Sequence, residues 1–143
     1  MKKLLFGTPV HDFIPSIGLL IHRLVFAGFL LVGHGWGKLT SFSAAAAKFP
    51  DPLHIGHQLS MACTIFCEAF CPALVVLGLA TRLSVLPVVF MMSVAAFIIH
   101  ADAPFFMAGG AAKEPAMLYL AAFAVLFFTG AGRFSLDGVI GKK

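Results

Sequence analysis

One acidic residue, Glu68, stands near the middle of an apolar stretch that is long enough to cross a membrane. Residues 58–79 would form a helix of about 33 Å, and the hydrocarbon core of a bilayer is roughly 30 Å thick. An ionised carboxylate at that depth is costly unless a group inside the protein balances its charge. We therefore expect Glu68 to face a basic or polar side chain from another helix.

Arg23, in the preceding apolar stretch, is the first candidate for that group. If the two stretches run antiparallel, Arg23 begins about 6 Å from the depth of Glu68, within reach of an arginine side chain. The sequence thus predicts a buried Arg23–Glu68 ion pair. Two interpretations of the pair stay open: it fixes which helix faces which, or it is a proton or substrate site.

A second group of polar residues is predicted to gather at the end of the helices that lies away from the chain termini. It comprises His34, Lys38, His100 and Tyr119. Imidazole, ammonium and phenol groups beside aromatic side chains suit the carbonyl oxygens of a quinone headgroup. We predict a ligand site among these four residues with Glu68 as its floor. The alternative is a polar packing interface, with Tyr119 as an anchor at the membrane surface.

The cysteines and histidines do not form a recognised metal motif. No compact spacing such as HxxxH occurs, so no metal site is predicted. Cys63, Cys67 and Cys71 recur at intervals of four residues, which a helix turns into a slowly drifting stripe. Small apolar packing at a helix contact is the main interpretation of this stripe, and a redox or metal-binding ladder is the other. A disulfide at this spacing would be strained.

The composition is that of an integral membrane protein. Hydrophobic residues make up 60% of the chain and charged residues 11%, whereas charged residues average about 25% in soluble domains. The net charge of +4 does not indicate nucleic-acid binding, because the cations lie at predicted helix ends rather than in one patch. The sequence has no dinucleotide-binding fingerprint and no haem-attachment motif, so a complete redox enzyme in this one chain is not expected.

Hydropathy and helix breakers divide the chain into four spans, at residues 16–37, 58–79, 83–100 and 114–130. We therefore predict a single all-α transmembrane domain over residues 1–143, folded as a four-helix transmembrane bundle. Six of the lysines and arginines fall on the side of the termini and three on the other side. This bias predicts a multi-pass protein with both termini in the cytoplasm.

The ordered motifs of the chain resemble those of the DoxX family. They are an arginine in the first span, HGWGKL at its end, FPDPL in the next loop, a central glutamate followed by GLATR, a histidine closing the third span, and GAGRFSLD after the fourth. The matching positions are Arg23, His34, Gly35, Lys38, Glu68, Arg82, His100, Arg133 and Asp137. The three cysteines and His22 are not part of this pattern.

The resemblance implies a small four-helix protein of the bacterial cytoplasmic (inner) membrane. The family takes its name from a subunit of a thiosulfate:quinone oxidoreductase, and other relatives are associated with redox stress or quinone-related detoxification. We therefore expect a membrane component of a redox system that binds quinone, or that anchors a soluble oxidoreductase or another membrane subunit at the bilayer. The alternative is a non-enzymatic scaffold or a small-solute permease. Whether the chain is catalytic, as a subunit of a quinone-linked oxidoreductase, stays open.

Overall fold

The structure is a computed structural model of the chain and describes residues 12–107 and 109–141. Within these residues the regular elements are all helical. They are α1 (Phe13–Thr40), α2 (Phe42–Ala45), α3 (His57–Leu77), α4 (Thr81–Ile99), α5 (Glu114–Thr129) and α6 (Leu136–Ile140). A turn of 3₁₀ helix, Ala46–Lys48, directly follows α2.

Helices α1, α3, α4 and α5 form a four-helix transmembrane bundle, which confirms the predicted fold class. In the described part of the chain, α1, α3 and α4 are apolar and have 28, 21 and 19 residues, enough to cross a membrane. Helix α5 is also apolar and has 16 residues. The short turn between α3 and α4 makes them antiparallel neighbours, while α5 packs along α4 and α1 packs against both α3 and α5.

Each of the three long helices contains wide π-helical turns, a feature that is frequent at functional sites. In α1 these turns include Arg23 and His34, and in α3 they include Glu68. The turns are Arg23–Ala27 and Leu31–Gly35 in α1, Phe66–Phe70 in α3 and Ala95–Ile99 in α4. Arg23, His34 and Glu68 thus lie where the regular helix is locally widened, whereas Lys38 and Tyr119 lie in regular α-helix.

The core of the bundle is built from small and branched apolar side chains, with Phe123 as its largest fully buried aromatic residue. The outer surface is apolar as well. Phe29, Val32 and Phe128 are each more than 60% exposed and point away from the bundle. A surface of this kind is stable against lipid, because the hydrocarbon chains are as apolar as the side chains they contact.

Arg23 lies at the end of the bundle that contains the α3–α4 turn, and the structure does not bring it to Glu68. The side chain is fully buried, and its guanidinium donates hydrogen bonds to the carbonyl oxygens of Val75 (3.2 Å), Val76 (3.1 Å) and Phe134. Val75 is seven residues beyond Glu68, which is about 10 Å along a helix. The arginine thus binds carbonyl groups in the last turn of α3, where the regular pattern of helical hydrogen bonds ends, and Val75 also accepts from the backbone N–H of Gly78 (3.0 Å).

Asp137, from α6, performs the matching role at the start of α4. Its carboxylate accepts hydrogen bonds from the backbone N–H groups of Ala80 (2.7 Å) and Thr81 (2.8 Å). Gly78, between the two helices, has a φ of +67°, and a Cβ there would lie 2.3 Å from the guanidinium of Arg23. Arg23, Gly78 and Asp137 form what we call the capping cluster. It joins the GLATR turn to the C-terminal FSLD segment.

Candidate functional site: a polar-floored cavity

Glu68 is paired with Lys38 of α1. The lysine ammonium donates a hydrogen bond to the Glu68 carboxylate and forms a salt bridge with it. Glu68 is only 8% exposed, so its charge lies largely inside the bundle. The sequence had predicted Arg23 as the partner of this buried carboxylate. The partner is instead Lys38, which had been predicted only as a ligand-site residue.

A close crossing of α1 and α3 makes this pair possible. A Cβ added to Gly35 would lie 2.2 Å from the carbonyl oxygen of Glu68 and 2.8 Å from the Cα atom of Ala69. The two backbones therefore touch at a point where only glycine fits. Lys38 follows Gly35 by about one turn on the same face of α1, so its side chain reaches the Glu68 carboxylate. The HGWGKL motif thus encodes both the contact and the cation.

A cavity of about 810 Å³ lies beside this ion pair. Its volume falls within the range of about 300–1,000 Å³ that is usual for small-molecule sites. Most of its wall is apolar, with Leu30, Met91 and Met92 among the lining residues. The polar wall includes every residue selected from the sequence for the ligand site: His34, Lys38, Glu68, His100 and Tyr119. Their convergence on one cavity is a matter of geometry, and ligand binding there stays a prediction.

The aromatic rings of His34 and Tyr119 connect α1 to α5 at the cavity wall. Their centroids are 5.8 Å apart and the rings meet edge to face at 83°. His100 follows the last turn of α4 and is partly buried. Helix α1, the end of α4 and helix α5 therefore each contribute to the cavity wall an aromatic ring that carries a hydrogen-bonding group.

The loop after α2 lies at the end of the cavity away from the capping cluster and is held by hydrogen bonds. The Asp51 carboxylate accepts hydrogen bonds from the backbone N–H groups of Ile55 (3.0 Å) and Gly56 (2.7 Å). The Ser60 hydroxyl, in the first turns of α3, donates to the carbonyl oxygen of Pro50 (2.9 Å). Five residues of this loop line the cavity: Phe49, Pro50, Pro52, Leu53 and Ile55.

The loop between α4 and α5 lies at the same end. The backbone N–H groups of Lys113 and Glu114 donate to the carbonyl oxygens of Pro104 (3.1 Å) and Phe105 (2.9 Å). The Glu114 carboxylate in turn accepts from the backbone N–H of Met107 (3.0 Å). Met107 also lines the cavity, as do residues 110–112. Two hydrogen-bonded loops therefore contribute to the cavity wall at the end away from the capping cluster.

All three cysteines are free. Cys63 is partly buried and lines the cavity, Cys67 is buried and both lines the cavity and belongs to the hydrophobic core, and Cys71 belongs to the core alone. No group of three or more histidine, cysteine or acidic side chains within residues 12–107 and 109–141 is arranged to hold a metal ion.

Comparison with known proteins identifies the family. The DoxX family model matches residues 18–101, which is more than half of the chain and includes the Lys38–Glu68 pair. The chain belongs to the DoxX family. An uncharacterized protein of Haemophilus influenzae is similar to this DoxX protein, with 31% identity over 108 residues that cover 75% of the chain and 71% of the relative. No solved structure matches this chain.

The region matched by the family model holds most of the cavity. It includes α1 from its second turn, α3, α4 and His100. It leaves Tyr119 and Asp137 outside. This DoxX chain is therefore an integral membrane protein whose matched region contains the ion pair, while the α5 wall of the cavity and part of the capping cluster follow that region.

Proposed function

We propose that this DoxX protein is a component of a redox system of the bacterial cytoplasmic membrane and that it binds a quinone headgroup in the cavity beside Glu68. The observation that carries the proposal is the cavity itself, an apolar space with a few hydrogen-bond donors at one end. A quinone ring is flat and apolar, and its two carbonyl oxygens only accept hydrogen bonds. The ammonium of Lys38, the hydroxyl of Tyr119 and an imidazole N–H of His34 or His100 are the available donors.

The charge of the site favours a neutral ligand. Glu68 balances Lys38, so the pair adds no net charge to the cavity wall. An anionic substrate would have to compete with the Glu68 carboxylate for the lysine, whereas a neutral carbonyl oxygen can accept a hydrogen bond from an ammonium proton that the carboxylate does not use. This balance supports a quinone over a carboxylate or phosphate substrate.

The electrons in this proposal come from a partner. A soluble oxidoreductase, or another membrane subunit, would dock on the bundle and supply two electrons that, together with two protons from water, reduce the bound quinone to its quinol. The role of this chain is to hold the headgroup and to keep the partner at the membrane.

The proposed topology places both termini in the cytoplasm and the cavity in the outer half of the bundle. Arg82 donates a hydrogen bond to the carbonyl oxygen of Phe128 (3.1 Å), and Arg133 lies 5.9 Å from the ring of Phe13, so both cations are at the capping-cluster end. Cations concentrate on the cytoplasmic side of membrane proteins. The termini themselves, residues 1–11 and 142–143, lie outside the described residues.

One observation favours the alternative, a scaffold or small-solute permease with a structural polar cluster. The Lys38–Glu68 pair satisfies both charges without any ligand, and buried ion pairs can serve to fix helix register. A scaffold of this kind would keep the pair and the loops but would bind no quinone.

Binding of a tail-free methoxylated benzoquinone to the purified protein in lipid nanodiscs separates these functions. We expect saturable binding that His34→Ala and His100→Ala each weaken by about tenfold, because losing a hydrogen bond to a buried acceptor costs about 1–3 kcal/mol. Leu118→Ala is the matched control, since Leu118 is 59% exposed and precedes Tyr119 on α5. No binding to the wild type, or unchanged affinity in both histidine variants, would contradict quinone binding in this cavity. The scaffold or small-solute permease would then be the remaining function.

A further inference from the structure

The wall of the cavity between α3 and α4 reaches the outer surface of the bundle. Phe66 of α3 and Phe90 of α4 line the cavity and are also 47% and 56% exposed. Ala62, one turn before Phe66, lines the cavity and is exposed as well. Pro87, one turn before Phe90, is partly exposed and lines it from the α4 side. We call the opening bounded by Ala62, Phe66, Pro87 and Phe90 the lateral gap.

Side-chain size and ring stacking explain why the wall is open here. Ala62 carries a single methyl group and cannot fill the space that a larger residue would close. The ring of Phe66 stacks on Phe70, one turn further along α3, with centroids 5.4 Å apart and planes 20° from parallel. This stacking directs the Phe66 ring along α3 rather than across to α4.

The lateral gap differs from the loop-covered end of the cavity in the surroundings it faces. At that end, the two loops are held by backbone hydrogen bonds and by the Asp51 and Glu114 carboxylates. The lateral gap is bordered by apolar side chains on the transmembrane surfaces of α3 and α4, where the surrounding medium is lipid. A ligand dissolved in the bilayer therefore meets the cavity directly, without crossing either loop.

We propose that the ligand enters the cavity from the bilayer through the lateral gap, and that the bound quinone keeps a polyprenyl tail in this gap with its end in the lipid. This inference rests on the proposed function and adds to it that the ligand is a long-tailed, membrane-resident quinone. The headgroup lies near Lys38 and Glu68, while the tail passes Ala62 and Phe90. The tail then never enters water, where exposure of its apolar surface would be unfavourable.

The test compares one quinone headgroup in two forms, without a tail and with a decyl tail, on wild type and Ala62→Trp in nanodiscs. The added indole fills the lateral gap but leaves the headgroup donors untouched. We expect Ala62→Trp to weaken binding of the decyl quinone by at least about tenfold and to leave the tail-free headgroup unchanged. Ala121→Trp is the matched control, because Ala121 is an exposed alanine of α5 that does not line the cavity.

Each outcome of this comparison has one meaning. A loss confined to the tailed quinone in Ala62→Trp supports the lateral gap as the path of the tail. Equal binding of both quinones by wild type and Ala62→Trp overturns it, for example because membrane lipid rather than the quinone occupies the gap, and leaves headgroup binding standing. Failure of the wild type to bind either quinone overturns the proposed function and this inference with it.

The native Cys63 tests the opening itself without any quinone. Cys63 lines the cavity next to Ala62, and replacing the other two thiols (Cys67→Ala with Cys71→Ala) leaves it as the single target. A membrane-soluble alkyl maleimide should label Cys63 several times faster than a charged, water-soluble maleimide, and Ala62→Trp should slow the alkyl reagent alone. Faster labelling by the charged reagent, or no effect of Ala62→Trp, would show that access is from the aqueous end.

Discussion

Glu68 and Lys38 bring opposite charges into an apolar bundle, and the charge of each residue is balanced by the other. Glu68 is almost fully buried, and the Lys38 side chain is 27% exposed. Removing one member of a buried pair leaves an uncompensated charge and costs about 3–5 kcal/mol, whereas replacing both with neutral residues costs much less. The two single substitutions should therefore not be additive.

We predict that Lys38→Met and Glu68→Gln each lower the melting temperature of the purified protein, and that the double variant is more stable than the sum of the two losses implies. Thermal unfolding of the four proteins in one detergent gives the coupling free energy. Lys48→Met serves as a control, because Lys48 is exposed just after α2. Additive losses would show that the two residues do not interact.

A second cycle, Arg23→Gln with Glu68→Gln, separates this pair from the one that the sequence suggested. Arg23 binds carbonyl groups at the end of α3, about 10 Å along the helix from Glu68. The losses in this cycle should add to within about 0.5 kcal/mol. Strong coupling between Arg23 and Glu68 would contradict the arrangement described above.

At the level of helices, the contact of α1 with α3 at Gly35 decides where the polar side chains meet. We predict that Gly35→Ala destabilises the protein by about 1–3 kcal/mol, because the added methyl group would overlap the backbone of Glu68 and push the helices apart. The same separation should weaken quinone binding by moving Lys38 away from the carboxylate. Chemical or thermal unfolding in detergent, together with the binding assay, measures both effects.

Gly33→Ala is the matched control on the same helix. A Cβ at Gly33 has no atom within 4 Å, and alanine is favoured over glycine in a helix by roughly 1 kcal/mol. This variant should be as stable as the wild type or slightly more so. Equal losses in Gly33→Ala and Gly35→Ala would contradict this account, because the crossing with α3 would then not be what distinguishes Gly35.

For the whole molecule, hydropathy and helix breakers were sufficient to predict the four helices. Each apolar segment is long enough to define its own helix, and the alternating direction of the helices indicates which residues lie towards the same end of the bundle. That is why His34, Lys38, His100 and Tyr119 could be assigned to one end from the sequence, and all four line one cavity.

The partners of the charged residues could not be predicted in the same way. The depth of Arg23 was estimated for straight helices without knowledge of where α1 and α3 cross, and that crossing depends on the lack of a side chain at Gly35. The capping role of Asp137 was also hidden, because its hydrogen-bond partners are 56 and 57 residues away in the sequence. Hydropathy contains no information on such long-range contacts.

The orientation of the whole bundle is a separate prediction. With both termini in the cytoplasm, a reporter enzyme fused after Lys143 should be active only if it is of a kind that works in the cytoplasm. The physical basis is the excess of lysine and arginine at the capping-cluster end. Activity of a C-terminal reporter that works only in the periplasm would reverse the orientation and place the cavity in the inner half of the bundle.

Photo-crosslinking with an azido-benzoquinone is the most direct measurement of the central claim, that the cavity beside Glu68 binds a quinone headgroup. The protein is irradiated in native-like membranes with the probe, and the labelled peptides are identified by mass spectrometry. We predict saturable labelling of the cavity around His34, Lys38, His100 and Tyr119. Excess unlabelled quinone should suppress this labelling. Labelling that does not saturate, or that is confined to lipid-facing residues such as Phe29 and Phe128, would contradict the claim.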